Sequence, residues 1–355
     1  MKNRIFIVFT PIHLMHSIHM ILNETSENNN ILWVNNYKGT FQLNTDLSSL
    51  KNSIFQKIFM FKSIFVGLIF VGDNFRKKLG ITHLDELIFF SYNGLIRFAI
   101  TKLKLLFPTL KVYLAEDGLA SYLDNNKNKI NFIKNLIYKL FLLGPYKNIN
   151  ELVDKYILFN KELYLGSNKD HIKILKNYTK VCNKEKTLIN HVFKYQNNSL
   201  IENYSFIFFD QPFSQQRIFD FNEREIINKI EQLLDKSTTL IILHPRQKNE
   251  IKKYYLDLGF YVVSDIFWEL YLLNNKCSNK CLISFHSSTI INTKLLFEYH
   301  NYSIFLYNIW LKETQKINKF VCNYNSFFNE DKIKLPHNLV ELQLYLENYQ
   351  LKKDD

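Results

Sequence analysis

Two adjacent carboxylates follow an apolar run in the first third of the sequence. Residues 111–115 read as a buried strand, and Glu116, Asp117 and Gly118 come directly after it. Consecutive side chains of an extended chain point to opposite sides, so one carboxylate could reach a substrate while the other holds the loop. A carboxylate at the rim of a cleft suits general-base chemistry, and glycine permits a sharp turn. A solvated turn has the same composition, so the sequence leaves both interpretations open.

A histidine follows a second apolar run. Residues 239–243 form this run, and His244, Pro245 and Arg246 come next. An imidazole and a guanidinium that are held together by a proline-fixed turn make a rim suited to a phosphate or another leaving anion. The alternative is a histidine that caps the strand beside a surface arginine.

Hydroxyl side chains lead from a third apolar run, residues 281–284, into a predicted helix. His286, Ser287, Ser288 and Thr289 stand at this transition. The N–H groups at a helix N-terminus and the hydroxyls of serine and threonine together form a cradle for an anion. Simple capping of the helix uses the same residues and is compatible with phosphate binding.

Several chemistry-bearing motifs are absent from the sequence. It contains no G-x-x-x-x-G-K-[ST], G-x-G-x-x-G, H-E-x-x-H or G-x-S-x-G. It also lacks the D-x-D pair that holds a metal on a nucleotide diphosphate. Cys277 and Cys281 have no second ligand pair beside them, which favours free thiols over a zinc site. We therefore predict no metal and no cofactor, and a donor that carries a single phosphate.

Strands and helices are predicted to alternate in two series, the first starting at residues 4–10 and the second at residues 205–209. Short strands that are separated by helical stretches indicate an α/β protein with parallel sheets and crossover helices. Ligands of such sheets bind beyond the carboxyl ends of the strands, where the three polar clusters lie. We predict a Rossmann-like domain over residues 1–195, a second over 204–320 and a helical segment over 321–355.

The composition is basic. The 355 residues include 45 Lys and Arg against 33 Asp and Glu, and only six of the 45 are arginine. Because arginine is the usual reader of base edges, this balance argues against sequence-specific nucleic-acid binding. An anionic substrate or an anionic membrane surface fits the charge, and a general bias toward Lys, Asn and Ile fits it equally.

No secretory signal or membrane span is evident, so we expect a cytoplasmic protein with possible peripheral contact with the inner membrane. The apolar run near the N-terminus is only five residues long, at residues 5–9. Residues 127–144 have a basic amphipathic pattern that could lie on a membrane. A helix that faces the core and exposes its lysines explains the same pattern.

The three clusters, taken in order, resemble the motifs of bacterial sialyltransferases: an acidic pair with glycine, a His-Pro pair and a Ser-Ser pair. Thr10, Pro11 and the sequence Phe-Asp-Gln-Pro at residues 209–212 look most like the family that sialylates lipooligosaccharide, glycosyltransferase family 52. The resemblance covers about residues 4–310. Capsular polysialyltransferases are similar in these motifs, but their chains are usually longer.

This resemblance implies a GT-B fold, in which two Rossmann-like domains with parallel sheets face each other across a cleft. It implies that the N-terminal domain binds the acceptor and the C-terminal domain binds the donor, CMP-sialic acid. It further implies inversion at the anomeric carbon, no obligatory metal and a terminal galactose as acceptor. Dimers occur among the relatives, so a homodimer is a further expectation.

The resemblance also implies roles for single residues. Asp117 would take the proton from the acceptor hydroxyl, and Glu116 would position the loop. His244 would bind the CMP phosphate and act as a general acid, on a turn shaped by Pro245. A further pair, Ser287 and Ser288, would hydrogen-bond the same phosphate.

Weaker candidates lie at other strand ends. Thr10, Pro11 and His13 follow the first strand and are expected to contact acceptor or donor. Gln211 follows the first strand of the second series and is expected to touch the nucleotide. Glu269 could bind the ribose, although an acid in the first turn of a helix also stabilises the helix dipole. Another nucleotide sugar, a capsular product, or a non-catalytic glycan-binding protein remain alternative functions.

Overall fold

The computed structural model describes residues 1–36, 45–61, 75–91, 94–123, 147–166, 169–197, 199–212, 222–310, 315–328 and 333–354. The chain divides into two compact units. The N-terminal unit comprises residues 1–176 and 180–195, and the C-terminal unit comprises residues 177–179 and 196–355.

The N-terminal unit is built on a parallel sheet. Its strands are β1 (Asn3–Val8), β2 (Asn29–Asn35), β3 (Lys57–Phe61), β4 (Glu86–Phe89), β5 (Lys111–Ala115), β6 (Lys155–Leu158) and β7 (Ile172–Ile174). The order across the sheet is β3-β2-β1-β4-β5-β6-β7, and every neighbouring pair is parallel. Its described helices are α1 (Pro11–Leu22), α2 (Phe75–Leu79), α3 (Gly94–Leu106), α4 (Ile149–Leu152) and α5 (Asn183–Val192).

The first strand and helix show how the sequence builds this sheet. All six residues of β1 are buried, because strands of a parallel sheet are covered on both faces. Thr10 then adopts an extended backbone, and Pro11 occupies the start of α1, where its fixed φ favours a helix and its missing N–H costs nothing. The abrupt strand-to-helix change places α1 beyond the carboxyl end of β1.

The C-terminal unit repeats the plan. Its strands are β8 (Phe206–Phe209), β9 (Thr239–Ile242), β10 (Tyr261–Val263), β11 (Cys281–Ser284), β12 (Tyr302–Phe305) and β13 (Ile333–Lys334), and its described helices are α6 (Glu223–Glu231), α7 (Asn249–Asp257), α8 (Trp268–Asn274), α9 (Ser288–Phe297), α10 (Tyr307–Trp310), α11 (Gln315–Phe327) and α12 (Leu339–Asp354). The order is β10-β9-β8-β11-β12-β13, again with parallel pairs. The central strand β8 thus lies between β9 and β11, and α12 packs onto the core through Leu342, Leu346 and Tyr349.

These two parallel-sheet units confirm the predicted fold class. Strands β3, β6, β7 and β13 are additions to the predicted set. Both β3 and β7 are partly exposed edge strands; β7, with the sequence Ile-Lys-Ile, lacks the continuous apolar run that marks a central strand, whereas residues 58–61 of β3 form a short one. The C-terminal segment predicted as helical contains β13, which pairs with β12.

The amphipathic segment 127–144 lies outside the described residues. Across the parts of the chain that the structure describes, no helix is both long enough and apolar enough to cross a membrane.

Candidate functional site

Glu116 is the buried member of the acidic pair that follows β5. Its side chain is 2% exposed and accepts hydrogen bonds from the Tyr122 hydroxyl and from the Phe159 backbone N–H, the latter at 3.0 Å. Burial raises the pKa of Glu116 to about 8. The carboxyl therefore ties the loop after β5 to the loop after β6.

Asp117 is the accessible member of the pair. A third of its side chain, 33%, is exposed. Its backbone N–H donates to Ser121 Oγ at 2.7 Å, which fixes the turn. One carboxylate oxygen, Oδ1, lies 2.6 Å from His13 Nε2. Asp117 is therefore held in place and still open to a ligand.

His13 reaches Asp117 from the first turn of α1. The Phe9 backbone N–H donates to His13 Nδ1 at 3.2 Å, so Nδ1 is an acceptor and the ring proton is on Nε2, which donates to Asp117. The ring also stacks on Phe90 at 4.8 Å between centroids. With only 1% of its side chain exposed, His13 orients Asp117 and leaves it as the accessible group.

Sequence reasoning placed His13 at a substrate contact and missed its pairing with Asp117. A histidine just beyond a strand end marked His13 as a candidate in the sequence. Its pairing with Asp117 could not be read from the sequence, because the two residues are 104 positions apart. Thr10 and Pro11 start the same helix. Thr10 Oγ1 is buried and makes no hydrogen bond to any residue that the structure describes. Contact of Thr10 or Pro11 with substrate stays a prediction.

We expect His13→Ala to lower kcat by about 100-fold, because a carboxylate that loses its orienting donor is misplaced by a fraction of an ångström or more. His13→Gln can put an N–H near the position of Nε2, so it should recover part of the loss. His191→Ala, at an exposed histidine of the same unit, is the control. Equal kcat values for the Ala and Gln variants of His13 would contradict the orienting role.

Gly118 makes the turn that aims Asp117. Its backbone angles are φ 80° and ψ −152°, a region that is almost confined to glycine. We expect Gly118→Ala to lower the free energy of unfolding by about 1–3 kcal/mol and to lower kcat with it. Gly259→Ala is the matched control, since Gly259 also has a positive φ, 90°, in the turn before β10. Urea unfolding and kcat are measured for both variants, and an equal loss of kcat in both would argue against a special role for Gly118.

The histidine turn, residues 244–247, follows β9. The Gln247 backbone N–H donates to the His244 carbonyl at 2.8 Å and closes the turn around Pro245. The Arg246 N–H donates to His244 Nδ1 at 3.0 Å, so the ring proton is on Nε2. Burial, with a smaller effect from the Arg246 charge, lowers the pKa of His244 to about 4. At neutral pH the imidazole is uncharged and presents one N–H donor.

The serine loop, residues 284–289, joins β11 to α9. Ser287 caps α9, because its Oγ accepts from the Thr289 N–H at 3.3 Å and donates to Thr289 Oγ1 at 2.9 Å. Ser288 is the first residue of the helix and is half-buried. Hydroxyls and the first N–H groups of a ten-residue helix thus gather at one end of the sheet.

Gln211 and Glu269 each have partners within the protein. Gln211 Oε1 accepts from the Ser284 hydroxyl at 3.1 Å and from the His286 backbone N–H at 3.0 Å. Glu269 is buried in α8 and accepts from Asn292 Nδ2 of α9 at 2.8 Å, and burial raises its pKa. Their predicted contacts with nucleotide and ribose stay predictions.

Within the described ranges, no group of three or more His, Cys, Asp or Glu side chains could hold a metal ion. Cys277 and Cys281 are buried free thiols, and burial raises the pKa of Cys277 to about 12.

Comparisons with known proteins identify the family. A family model described as Alpha-2,8-polysialyltransferase (POLYST) matches residues 1–306. No curated protein matches the sequence significantly. The family match confirms the predicted relationship to bacterial sialyltransferases, while membership of the lipooligosaccharide family stays a prediction.

Solved structures show the fold. The rhamnosyltransferase SpnG, complexed with thymidine diphosphate, has a TM-score of 0.56 at 8% identity, over 99% of this chain and 92% of that chain. A putative UDP-N-acetylglucosamine 2-epimerase from Listeria monocytogenes has a TM-score of 0.55 at 9% identity, over 99% and 88%. A UDP-GlcNAc 2-epimerase from Neisseria meningitidis, bound to UDP-GlcNAc, has a TM-score of 0.50 at 12% identity, over 98% and 100%.

At these identities the structures establish the fold alone, and the family model, which spans most of the 355 residues, carries the assignment. The chain belongs to the alpha-2,8-polysialyltransferase family and is a glycosyltransferase with a GT-B fold.

Proposed function

We propose that the chain transfers sialic acid from CMP-sialic acid to a hydroxyl of a bacterial surface glycan, with inversion at the anomeric carbon. The observation that carries the proposal is the donor set at the carboxyl ends of β9 and β11. His244 offers one N–H and Ser288 offers a hydroxyl beside the start of α9, and the Ser287 hydroxyl would turn from Thr289 Oγ1 to donate to the phosphate. This set suits one phosphate, as CMP-sialic acid has, better than a diphosphate held by a metal.

The proposed reaction breaks the bond between the anomeric carbon and the CMP phosphate oxygen, and the electron pair stays on that oxygen. The donors around His244 and Ser287 stabilise the charge where it develops. The acceptor hydroxyl forms the new bond and loses its proton to Asp117, the accessible carboxylate of the acidic pair. Glu116 serves to hold that loop.

The role of His244 follows from its charge. An imidazole with a pKa of about 4 is neutral near pH 7 and keeps its Nε2 proton. We therefore propose that His244 meets the donor substrate as an uncharged imidazole and stabilises the leaving phosphate as a hydrogen-bond donor. This proposed role differs from the general acid that the resemblance implies, because the imidazole stabilises the phosphate through a hydrogen bond.

Two kinds of glycan are candidates for the acceptor. The family description names an alpha-2,8-polysialyltransferase, which favours a glycan that ends in sialic acid and a capsule-like product. The net charge of +12 agrees with an acceptor that is itself anionic. A terminal galactose of lipooligosaccharide, expected from the motifs, is the second candidate.

A transfer assay tests the proposal. The protein is incubated with CMP-Neu5Ac, with and without EDTA, with a labelled oligosialic acid in one reaction and a labelled lactoside in the other, and the products are read by mass spectrometry. We expect a product larger by one or more sialyl residues with the oligosialic acid. Product only with the lactoside would favour the galactose acceptor, and transfer that EDTA abolishes would contradict metal independence. Neither transfer nor CMP release from folded protein would contradict the proposed donor.

A further inference from the structure

Two adjacent polar residues come directly after a central strand of the C-terminal sheet. Asp210 and Gln211 follow β8 directly, and β8 lies between β9, which leads to the histidine turn, and β11, which leads to the serine loop. Neighbouring side chains of an extended chain point in opposite directions. The pair is thus placed to contact both loops at once.

Asp210 holds the histidine turn. Its side chain is 4% exposed, and its Oδ2 accepts from Gln247 Nε2 at 2.6 Å. The same Nε2 donates to Glu223 at 2.8 Å, while the Gln247 backbone N–H closes the turn on the His244 carbonyl. Asp210 Oδ1 accepts from the Tyr255 hydroxyl at 3.0 Å. Gln247 therefore ties the turn that carries His244 to the end of β8.

Gln211 holds the serine loop. Its Oε1 accepts from the Ser284 hydroxyl, from the His286 backbone N–H and from His286 Nδ1, at 3.0–3.2 Å. Ser284 is fully buried, and its Oγ in turn accepts from the Ser287 backbone N–H at 3.2 Å. A chain of two hydrogen bonds thus runs from Gln211 to the residue that caps α9.

We propose that Asp210 and Gln211 are positioning residues, which set the distance between the His244 donor and the donors at the start of α9 to that required by one phosphate. The inference rests on the proposed function, because it assumes that these donors share one phosphate. Donors that lie on separate loops need such a common support, since small displacements weaken an anion site strongly.

Double-mutant cycles test the inference. CMP is the probe, and its dissociation constant is measured by calorimetry for the wild type, Asp210→Ala, Gln247→Ala and the double variant. We expect each single variant to weaken CMP binding by about tenfold. A displaced loop would cost about as much as the loss of one hydrogen bond to the charged phosphate. The double variant should be no weaker than the worse single variant, because Asp210 acts on the turn through Gln247. Gln211→Ala and Ser284→Ala form the second cycle, with the same expectation.

Tyr255→Phe is the matched control. It removes a hydrogen bond from the same Asp210 carboxyl but leaves the Gln247 contact, so CMP affinity should change by less than about threefold. If Asp210→Ala does not fold, Asp210→Asn replaces it, because the asparagine amide keeps one acceptor oxygen for Gln247. The Asp210→Asn protein should then bind CMP more tightly than the Gln247→Ala protein does.

Losses that multiply in the double variants, or single variants that bind CMP like the wild type, would overturn the inference and leave the proposed function intact. A Tyr255→Phe variant as weak as Asp210→Ala would also overturn it, since the carboxyl would then act through packing and not through the turn. A folded wild type that binds no CMP would contradict the proposed function itself, and the inference would fall with it.

Discussion

Asp117→Asn is expected to lower kcat for sialyl transfer by about 10²–10⁴-fold, the usual range for a general base, and to leave CMP affinity unchanged. The amide oxygen can still accept from His13 Nε2, so the loop should keep its shape. What the variant loses is a group that takes up the acceptor proton. Initial rates with CMP-Neu5Ac and calorimetry with CMP measure the two properties separately.

Two further substitutions calibrate this result. Asp170→Asn removes an exposed carboxylate of the same unit and should not change kcat. Glu116→Gln keeps an acceptor for Tyr122 and Phe159, and it should retain more activity than Asp117→Asn. A Glu116→Gln protein with normal thermal stability and no transfer, beside an active Asp117→Asn protein, would move the role of base to Glu116.

His244→Ala is expected to lower kcat by about 10²–10³-fold, as when one donor to a developing oxyanion is removed. Gln can place an N–H close to that of Nε2, so His244→Gln should recover about tenfold of this loss if the imidazole acts only as a hydrogen-bond donor. Equal activities of the Ala and Gln variants would show that a proton, and not a hydrogen bond, is required.

The pH dependence provides a second measure of the same role. Because the pKa of His244 is lowered to about 4, neither His244 nor a glutamine in its place changes charge between pH 6 and pH 8. The ratio of kcat/KM for the wild type and His244→Gln should therefore be constant over this range. A ratio that changes near pH 6.5 would show that the imidazole titrates there and would contradict the neutral form.

The sequence was sufficient to predict the two parallel sheets, because continuous apolar runs such as residues 5–9 and 206–209 mark strands that are buried on both faces. It also located the three polar clusters at strand ends. Strand β7 was missed, since its partly exposed sequence Ile-Lys-Ile has no such run, and β3 was missed although residues 58–61 are apolar.

Pairings between distant residues could not be predicted in the same way. The contact of His13 with Asp117 depends on β4 being the single strand between β1 and β5, and that of Gln211 with Ser284 depends on β8 and β11 being neighbours. Local pattern carries no information on this order. A side-chain amide at a strand end can hydrogen-bond a nucleotide or a neighbouring loop equally well. Sequence alone therefore could not reveal the hydrogen bonds that Gln211 makes within the protein.

The buried Glu116 carboxyl couples folding of the N-terminal unit to proton uptake. Its pKa is about 8 in the folded protein against a usual value of 4.5, so at neutral pH the folded chain holds a proton that the unfolded chain releases. The stabilisation from this group is complete below about pH 4.5 and is lost as the pH rises through about 8. Folding of this unit is therefore favoured in acid, and an alkaline medium opposes it by placing a charge on the buried Glu116 carboxyl.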